Sequence, residues 1–182
     1  MIVNNLDLKG LKIIKNQIFE DNRGYFTETH NRKTFSENIL DCNFVQDNES
    51  KSLYKGTIRG LHAQKPPFGQ DKLIRVIKGS IIDIAVDIRK SSKTYGSWQA
   101  VKLKEGDNTL FFIPQGFLHG FITLIDETIV SYKCSNYYNK ESEIGVIYND
   151  QDLSVDWKIN SEVKISKKDS LLDSFKNLDS PF

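Results

Sequence analysis

Residues 72–89 constrain this chain more than any other stretch. Leu73-Ile74-Arg75-Val76-Ile77 runs into Lys78-Gly79-Ser80, after which Ile82, Ile84, Val86 and Ile88 alternate with Asp83, Ala85, Asp87 and Arg89. A period of two is the period of a β-strand, and a Gly-centred break between two apolar runs is a turn signal. The segment therefore predicts a β-hairpin. Its second strand is aliphatic on one face and carries two carboxylates on the other. Alternation alone leaves open whether Asp83 meets solvent or a protein interior.

The same punctuation recurs along the chain. Further strands are expected near 11–19, 43–49, 57–63, 97–104, 109–113, 119–125, 128–134 and 144–148, with helical periodicity only at Arg32–Leu40 and Lys167–Leu178. There is no internal repeat, low-complexity segment or linker, so residues 1–182 are expected to form a single domain. Many short strands separated by Gly, Pro and Asn predict a mainly β architecture, an antiparallel jelly roll or β-barrel with short flanking helices. Such folds bury a cavity at one end.

Composition excludes several classes. Lys+Arg of 25 against Asp+Glu of 24 leaves a net charge of +1, which argues against a nucleic-acid partner. Two cysteines, Cys42 and Cys134, make no disulfide framework, and no Cys/His spacing matches a zinc site. The N-terminus lacks the order of a signal peptide, and no apolar run approaches the ~20 residues that span a bilayer. The expectation is a soluble cytoplasmic protein without a membrane partner.

Among only three histidines, His62 stands out in Arg59-Gly60-Leu61-His62-Ala63-Gln64. A strand histidine satisfied by backbone is the ordinary alternative. Arg59 and His62 are three apart and belong on opposite faces, unless a bulge at Gly60 re-aims one of them. Lys72 opens a strand beside Ile74 and Val76; it belongs in solvent, or else inside, where it needs an anion such as an enolate oxygen or phosphate. Tyr132 shares a strand face with Thr128, Val130 and Cys134. It packs in the core with its hydroxyl bonded, or donates a proton if a base stands opposite.

Pro114-Gln115-Gly116-Phe117-Leu118-His119 has the Pro-x-Gly-x-x-His form of the second cupin motif, whose histidine binds metal. The partner motif needs His-x-His and a following glutamate, whereas this chain offers His62-Ala63-Gln64. Too few ligands remain for a metal site, so a cupin-like barrel working without metal is expected.

Eight segments in order resemble the dTDP-4-dehydrorhamnose 3,5-epimerase family, from about Ile13 to Asp169. They are Asp21-Asn22-Arg23-Gly24-Tyr25-Phe26-x-Glu28, Gln46-Asp47-Asn48-x-Ser50, Arg59-Gly60-Leu61-His62-x-Gln64, Gln70-x-Lys72-Leu73, Asp83-x-x-Val86-Asp87-Ile88-Arg89, Ile113-Pro114-x-Gly116-Phe117-x-His119-Gly120-Phe121, Tyr132-Lys133 and Ser166-x-Lys168-Asp169. Ala63 departs from the aromatic usual in the family, and Asn139 from a common proline.

The resemblance implies a role for each matching position. His62 is the catalytic base, Asp169 the carboxylate that orients it, Tyr132 the proton donor on the opposite ring face, and Lys72 the partner of the enolate oxygen. Arg23, Glu28, Gln46, Asp47, Asn48, Arg59, His119, Glu143 and Lys168 line the nucleotide-sugar site, with Phe26 and Tyr138 as candidates for stacking on the base. The resemblance also implies a homodimeric jelly roll with shared active sites and no cofactor, acting on a dTDP-sugar for surface-polysaccharide deoxysugar synthesis.

The residue types suit that chemistry. A ketone at C4 acidifies the hydrogens at C3 and C5, and histidine is a base of near-neutral pKa. Charge moves to the C4 oxygen, where a fixed cation favours the transition state over the ground state. Inversion then needs a second acid on the other face. The rival readings are a 3- or 5-epimerase or ketoisomerase on another nucleotide sugar, a non-catalytic sugar-binding cupin module, and a metal-dependent cupin oxygenase or isomerase.

Overall fold

The computed structural model describes residues 1–39, 41–158 and 162–182. Thirteen strands occur among these residues: β1 Ile2–Asn5, β2 Lys12–Lys15, β3 Phe19–Asp21, β4 Gly24–Phe26, β5 Gln46–Ser52, β6 Ile58–Gln64, β7 Lys72–Lys78, β8 Ser80–Asp87, β9 Trp98–Lys104, β10 Thr109–Ile113, β11 Phe117–Thr123, β12 Thr128–Cys134 and β13 Glu143–Gly145. A six-stranded sheet runs β1-β2-β10-β7-β12-β5 and faces a five-stranded sheet running β13-β6-β11-β8-β9. All named pairings are antiparallel. The expected jelly roll is present, as two facing sheets that are not closed by hydrogen bonds into a barrel.

Both strands predicted within 72–89 form and the chain turns at Gly79, but they lie in different sheets and do not pair, so the expected hairpin is instead a corner at which the chain passes from one sheet to the other. β8 is buried on both faces, and the polarity of its alternation decides what lies inside. Ile82, Ile84, Val86 and Ile88 pack outward beneath Leu153, Trp157, Phe175 and Leu178. Ile81 and Ala85, on the opposite face, join Ile74, Val76, Phe111, Phe117 and Phe121 between the sheets. Asp83 therefore points to the interior. The C-terminal segment covers the aliphatic face and leaves the carboxylate face buried between the sheets.

Helix α1, Arg32–Asn38, is capped by Asn31, whose side chain accepts from Thr34 N at 3.3 Å. Leu40, where the sequence pattern ends, lies outside the described residues. The tail Lys167–Leu178 is not a helix; it holds two single 3₁₀ turns, Asp169–Leu171 and Phe175–Asn177. Side chains take the backbone donors there. Asp173 Oδ1 accepts from Ser174 N, and Asp150 Oδ2 accepts from Phe175 N. The apolar spacing of the tail reflects anchoring onto β8 rather than a helix face.

β3 and β4 form a separate exposed hairpin carrying Phe19, Tyr25 and Phe26. No helix of the described residues is long and apolar enough to cross a membrane.

Candidate active site

The site begins with an irregularity in β6. His62 pairs with His119 and Arg59 with Phe121, so three steps along β6 match two along β11. That is the bulge expected at Gly60. Gly60 has φ of +113°, and a Cβ there would lie 2.6 Å from both Gly120 Cα and His119 O. Only glycine fits. The extra residue turns His62 into the interior while Arg59 reaches the cavity rim, donating to Ser52 Oγ at 3.2 Å and to Lys51 O at 3.0 Å.

His62 Nε2 stands 3.0 Å from Asp169 Oδ1, and Gly60 N donates to Asp169 Oδ2 at 3.3 Å. Burial alone would raise the Asp169 carboxyl. The hydrogen bond from His62, the imidazole's charge, Gly60 N–H and Ser166 oppose it and hold the group below the ordinary carboxylate range. An ionised Asp169 fixes the tautomer with the proton on Nε2, leaving Nδ1 as the free base.

Tyr132 comes from β12 in the opposing sheet. Burial, then proximity to Cys134, pushes its phenol up, partly offset by Arg59, so it stays protonated at neutral pH. His62 and Tyr132 together border two adjoining cavities. One, of about 330 Å³, is lined by Gln46, Asn48, Ala63, Gln70, Lys72, Tyr138 and Glu143. The other, of about 590 Å³, is lined by Ser52, Tyr54, Arg59, Lys164, Ser166 and Asp169. A histidine and a tyrosine from facing sheets thus line the same two cavities.

Lys72 lies inside. Burial pulls its ammonium down in pKa, opposed by the nearby Cys134, Asp83 and Glu143. Among the described residues it has no ion-pair partner. The rim is tied together by Glu143, which is paired with Lys168 and accepts from Tyr138 OH at 3.1 Å. Gln64 clamps the neighbouring loop, donating to Phe68 O at 2.7 Å and accepting from Asn139 N at 2.7 Å. Asn139, the departure from proline, caps the 3₁₀ turn Lys140–Ser142 by accepting from Ser142 N at 3.0 Å.

His119 is buried behind His62, and burial holds its imidazole low despite the nearby Asp83. Among the described residues no group of three or more His, Cys, Asp or Glu side chains is placed to hold a metal ion.

Four expected site residues are not brought to this cavity. Asp47 follows the alternation of β5 to the outer face, is 68% exposed and pairs with Lys133 at 2.8 Å. It belongs with the sheet exterior, unlike Gln46 and Asn48. Arg23 (85% exposed) pairs with Asp21 at the tip of the β3–β4 hairpin. Phe26 is exposed on the same hairpin, and Glu28 accepts from Asn31 Nδ2 at 3.1 Å beside α1. The sequence reading gave no role to Asp83, Cys134 or Ser166. Only their inward strand positions, or a neighbouring Asp169 in the case of Ser166, hinted at one.

The fold and the site together are those of a jelly-roll isomerase. A family profile described as dTDP-4-dehydrorhamnose 3,5-epimerase matches residues 5–177. A dTDP-4-dehydrorhamnose 3,5-epimerase of Methanothermobacter thermautotrophicus is 48% identical over 164 residues, covering 89% of this chain and 88% of the relative. The crystal structure of dTDP-4-dehydrorhamnose 3,5-epimerase from Elizabethkingia anophelis superposes with a TM-score of 0.92 at 45% identity, covering 97% of both chains. That of dTDP-6-deoxy-D-glucose-3,5-epimerase from Legionella pneumophila, in complex with dTDP-4-keto-L-rhamnose, gives 0.93 at 40% identity, covering 98% of this chain and 94% of the other. The chain belongs to the dTDP-4-dehydrorhamnose 3,5-epimerase family.

Proposed function

We propose that this protein inverts C3 and C5 of a dTDP-4-keto-6-deoxy sugar, converting dTDP-4-dehydro-6-deoxyglucose to dTDP-4-dehydrorhamnose for surface polysaccharide. The observation that carries this reading is the His62–Asp169 pair facing the same cavity as the protonated Tyr132. His62 takes the hydrogen from the carbon beside the ketone, and Asp169 stabilises the resulting imidazolium. Electron density moves to the C4 oxygen, where the Lys72 ammonium meets it. Tyr132 returns a proton from the other face, and the cycle repeats at the second carbon. Arg59 and Lys168 bind the diphosphate, and Tyr138 stacks on the thymine.

A second copy of the chain completes the site. Arg23, Phe26 and Glu28 stand on or next to an exposed apolar hairpin away from their own cavity, which suits a homodimer whose hairpins cross to the neighbouring site. Mixing Arg23→Ala and His62→Ala subunits tests this. Recovery of activity in the mixture supports shared sites, and no recovery refutes them. The two free, buried cysteines suit a reducing compartment such as the cytoplasm.

The overall test is incubation with dTDP-4-keto-6-deoxyglucose in heavy water. Two incorporated deuterons with a change of configuration at both carbons are expected. Ala63, buried at the cavity wall, keeps a single-carbon epimerase in view, because a small residue there widens the space beside the sugar. One deuteron would establish that alternative, and none would overturn epimerisation.

A further inference from the structure

Tyr138 stands at the mouth of the smaller cavity with 53% of its surface exposed, so burial does little to fix its ring. Two glutamine side chains hold its backbone instead. Gln46 Oε1 accepts from Tyr138 N at 3.0 Å. Gln64 Nε2 donates to Tyr137 O at 3.2 Å, and Gln64 Oε1 accepts from Asn139 N at 2.7 Å. One amide thus grips the residues on both sides of Tyr138. The same nitrogen also donates to Phe68 O at 2.7 Å, which ties this loop to the one before β7.

Neither amide is free to turn. Gln64 is buried at the end of β6, and its backbone partners fix which of its atoms is oxygen and which nitrogen. Gln46 Nε2 is spent on Asn48 Oδ1 at 3.0 Å, and Asn48 Nδ2 meets Cys134 Sγ at 3.5 Å. The far end of the Tyr138 ring is steadied by its hydroxyl, which donates to Glu143 Oε2. Asn139 contributes through its backbone: a proline there has no N–H, and Gln64 Oε1 would lose its donor. Gln64 follows His62 by two, at the place of the second histidine of a His-x-His pattern, and gives both polar atoms to backbone.

We propose that Gln64 is a positioning residue that pre-organises Tyr138 as a fixed platform for the flat base of the substrate's nucleotide. It acts through Tyr138 and does not touch the reacting carbons. The inference rests on the stacking role given to Tyr138 above and deepens it. A ring held in place before binding loses less freedom when a base stacks on it. The clamp therefore strengthens ground-state binding and leaves the proton-transfer step alone.

Amide hydrogen exchange of the substrate-free protein, read by NMR, tests the clamp. The Tyr138 and Asn139 amides should be protected in the wild type. Gln64→Met keeps the volume and removes both polar atoms, and it should speed exchange at Asn139 on the order of tenfold. The Kd for dTDP should rise roughly three- to tenfold in that variant, while kcat with dTDP-4-keto-6-deoxyglucose changes less. In a Tyr138→Ala background the same substitution should cost almost no further affinity. An unmoved Asn139 amide, or an affinity loss that persists in full without the Tyr138 ring, overturns the inference. Faster exchange with an unmoved Kd upholds the clamp and rejects Tyr138 as the base platform. Unprotected amides in the wild type overturn the clamp with no variant needed. Where Gln64→Met does not fold, Gln64→Glu keeps an acceptor for Asn139 N and loses the donor to Tyr137 O. A raised Kd with kcat retained then supports the inference, and equal loss in both overturns it.

Discussion

His62 Nε2 lies 3.0 Å from Asp169 Oδ1, although the two residues are 107 positions apart in the chain. The tail brings Asp169 to β6 through its 3₁₀ turn, and Ser166 Oγ accepts from Asp169 N at 3.0 Å to fix that turn. Asp169→Asn keeps the shape but removes the charge that holds the proton on Nε2. The expected result is a kcat loss on the order of 10²-fold with KM little changed, measured by steady-state kinetics.

His62 and Tyr132 should separate by isotope exchange. His62→Ala abolishes exchange of the C3 and C5 hydrogens with solvent, because nothing removes them. Tyr132→Phe leaves a base able to form the enolate and return a solvent-derived proton to the face it came from. Slow deuterium uptake with retained configuration is expected, followed by NMR in heavy water. Equal loss of exchange in both variants would mean that Tyr132 is needed for enolisation itself.

Lys72 and Arg59 should differ in the kinetic constant they affect. Lys72→Ala removes the cation at the developing oxyanion, and kcat should fall on the order of 10²–10³-fold. Arg59 stands at the rim of the second cavity, and in the proposed mechanism the phosphate it holds is present in ground and transition states alike. Arg59→Ala should mainly raise KM. A Lys72→Ala variant altered only in KM would remove the enolate role.

Asp87 is a structural carboxylate at the end of β8. Burial would raise its pKa, but hydrogen bonds from Arg89, Ser92 and Thr94 hold it at about 2, against an ordinary 3.8. A carboxyl depressed on folding contributes stability that is full above the unfolded value and lost as pH falls through the folded one. That contribution is about 2 kcal/mol by linkage. Urea unfolding should therefore show the wild type losing its advantage over Asp87→Asn between about pH 4 and pH 2. A gap that does not narrow with acid would contradict the assignment.

The local sequence was enough to specify the strands of the two sheets other than β1, but not the β3–β4 hairpin, together with the turn at Gly79 and the bulge at Gly60, because period-two alternation and glycine punctuation are properties of neighbouring residues. It also put His62, Lys72 and Tyr132 on separate strands. Alternation, however, groups side chains by face without saying which face is covered. Only packing of the C-terminal segment against Ile82, Ile84 and Val86 turned Asp83 inward and made it a buried charge. The tail shows the same limit: its apolar spacing suits a helix, but Asp150 and Asp173 claim backbone donors and break it into turns that deliver Asp169 to His62. Asp47 and Asn48 are adjacent in sequence, and the pleat sends one to solvent and the other to the cavity. Pairings between distant residues depend on which surfaces exclude water, and that is decided when the sheets and the tail come together.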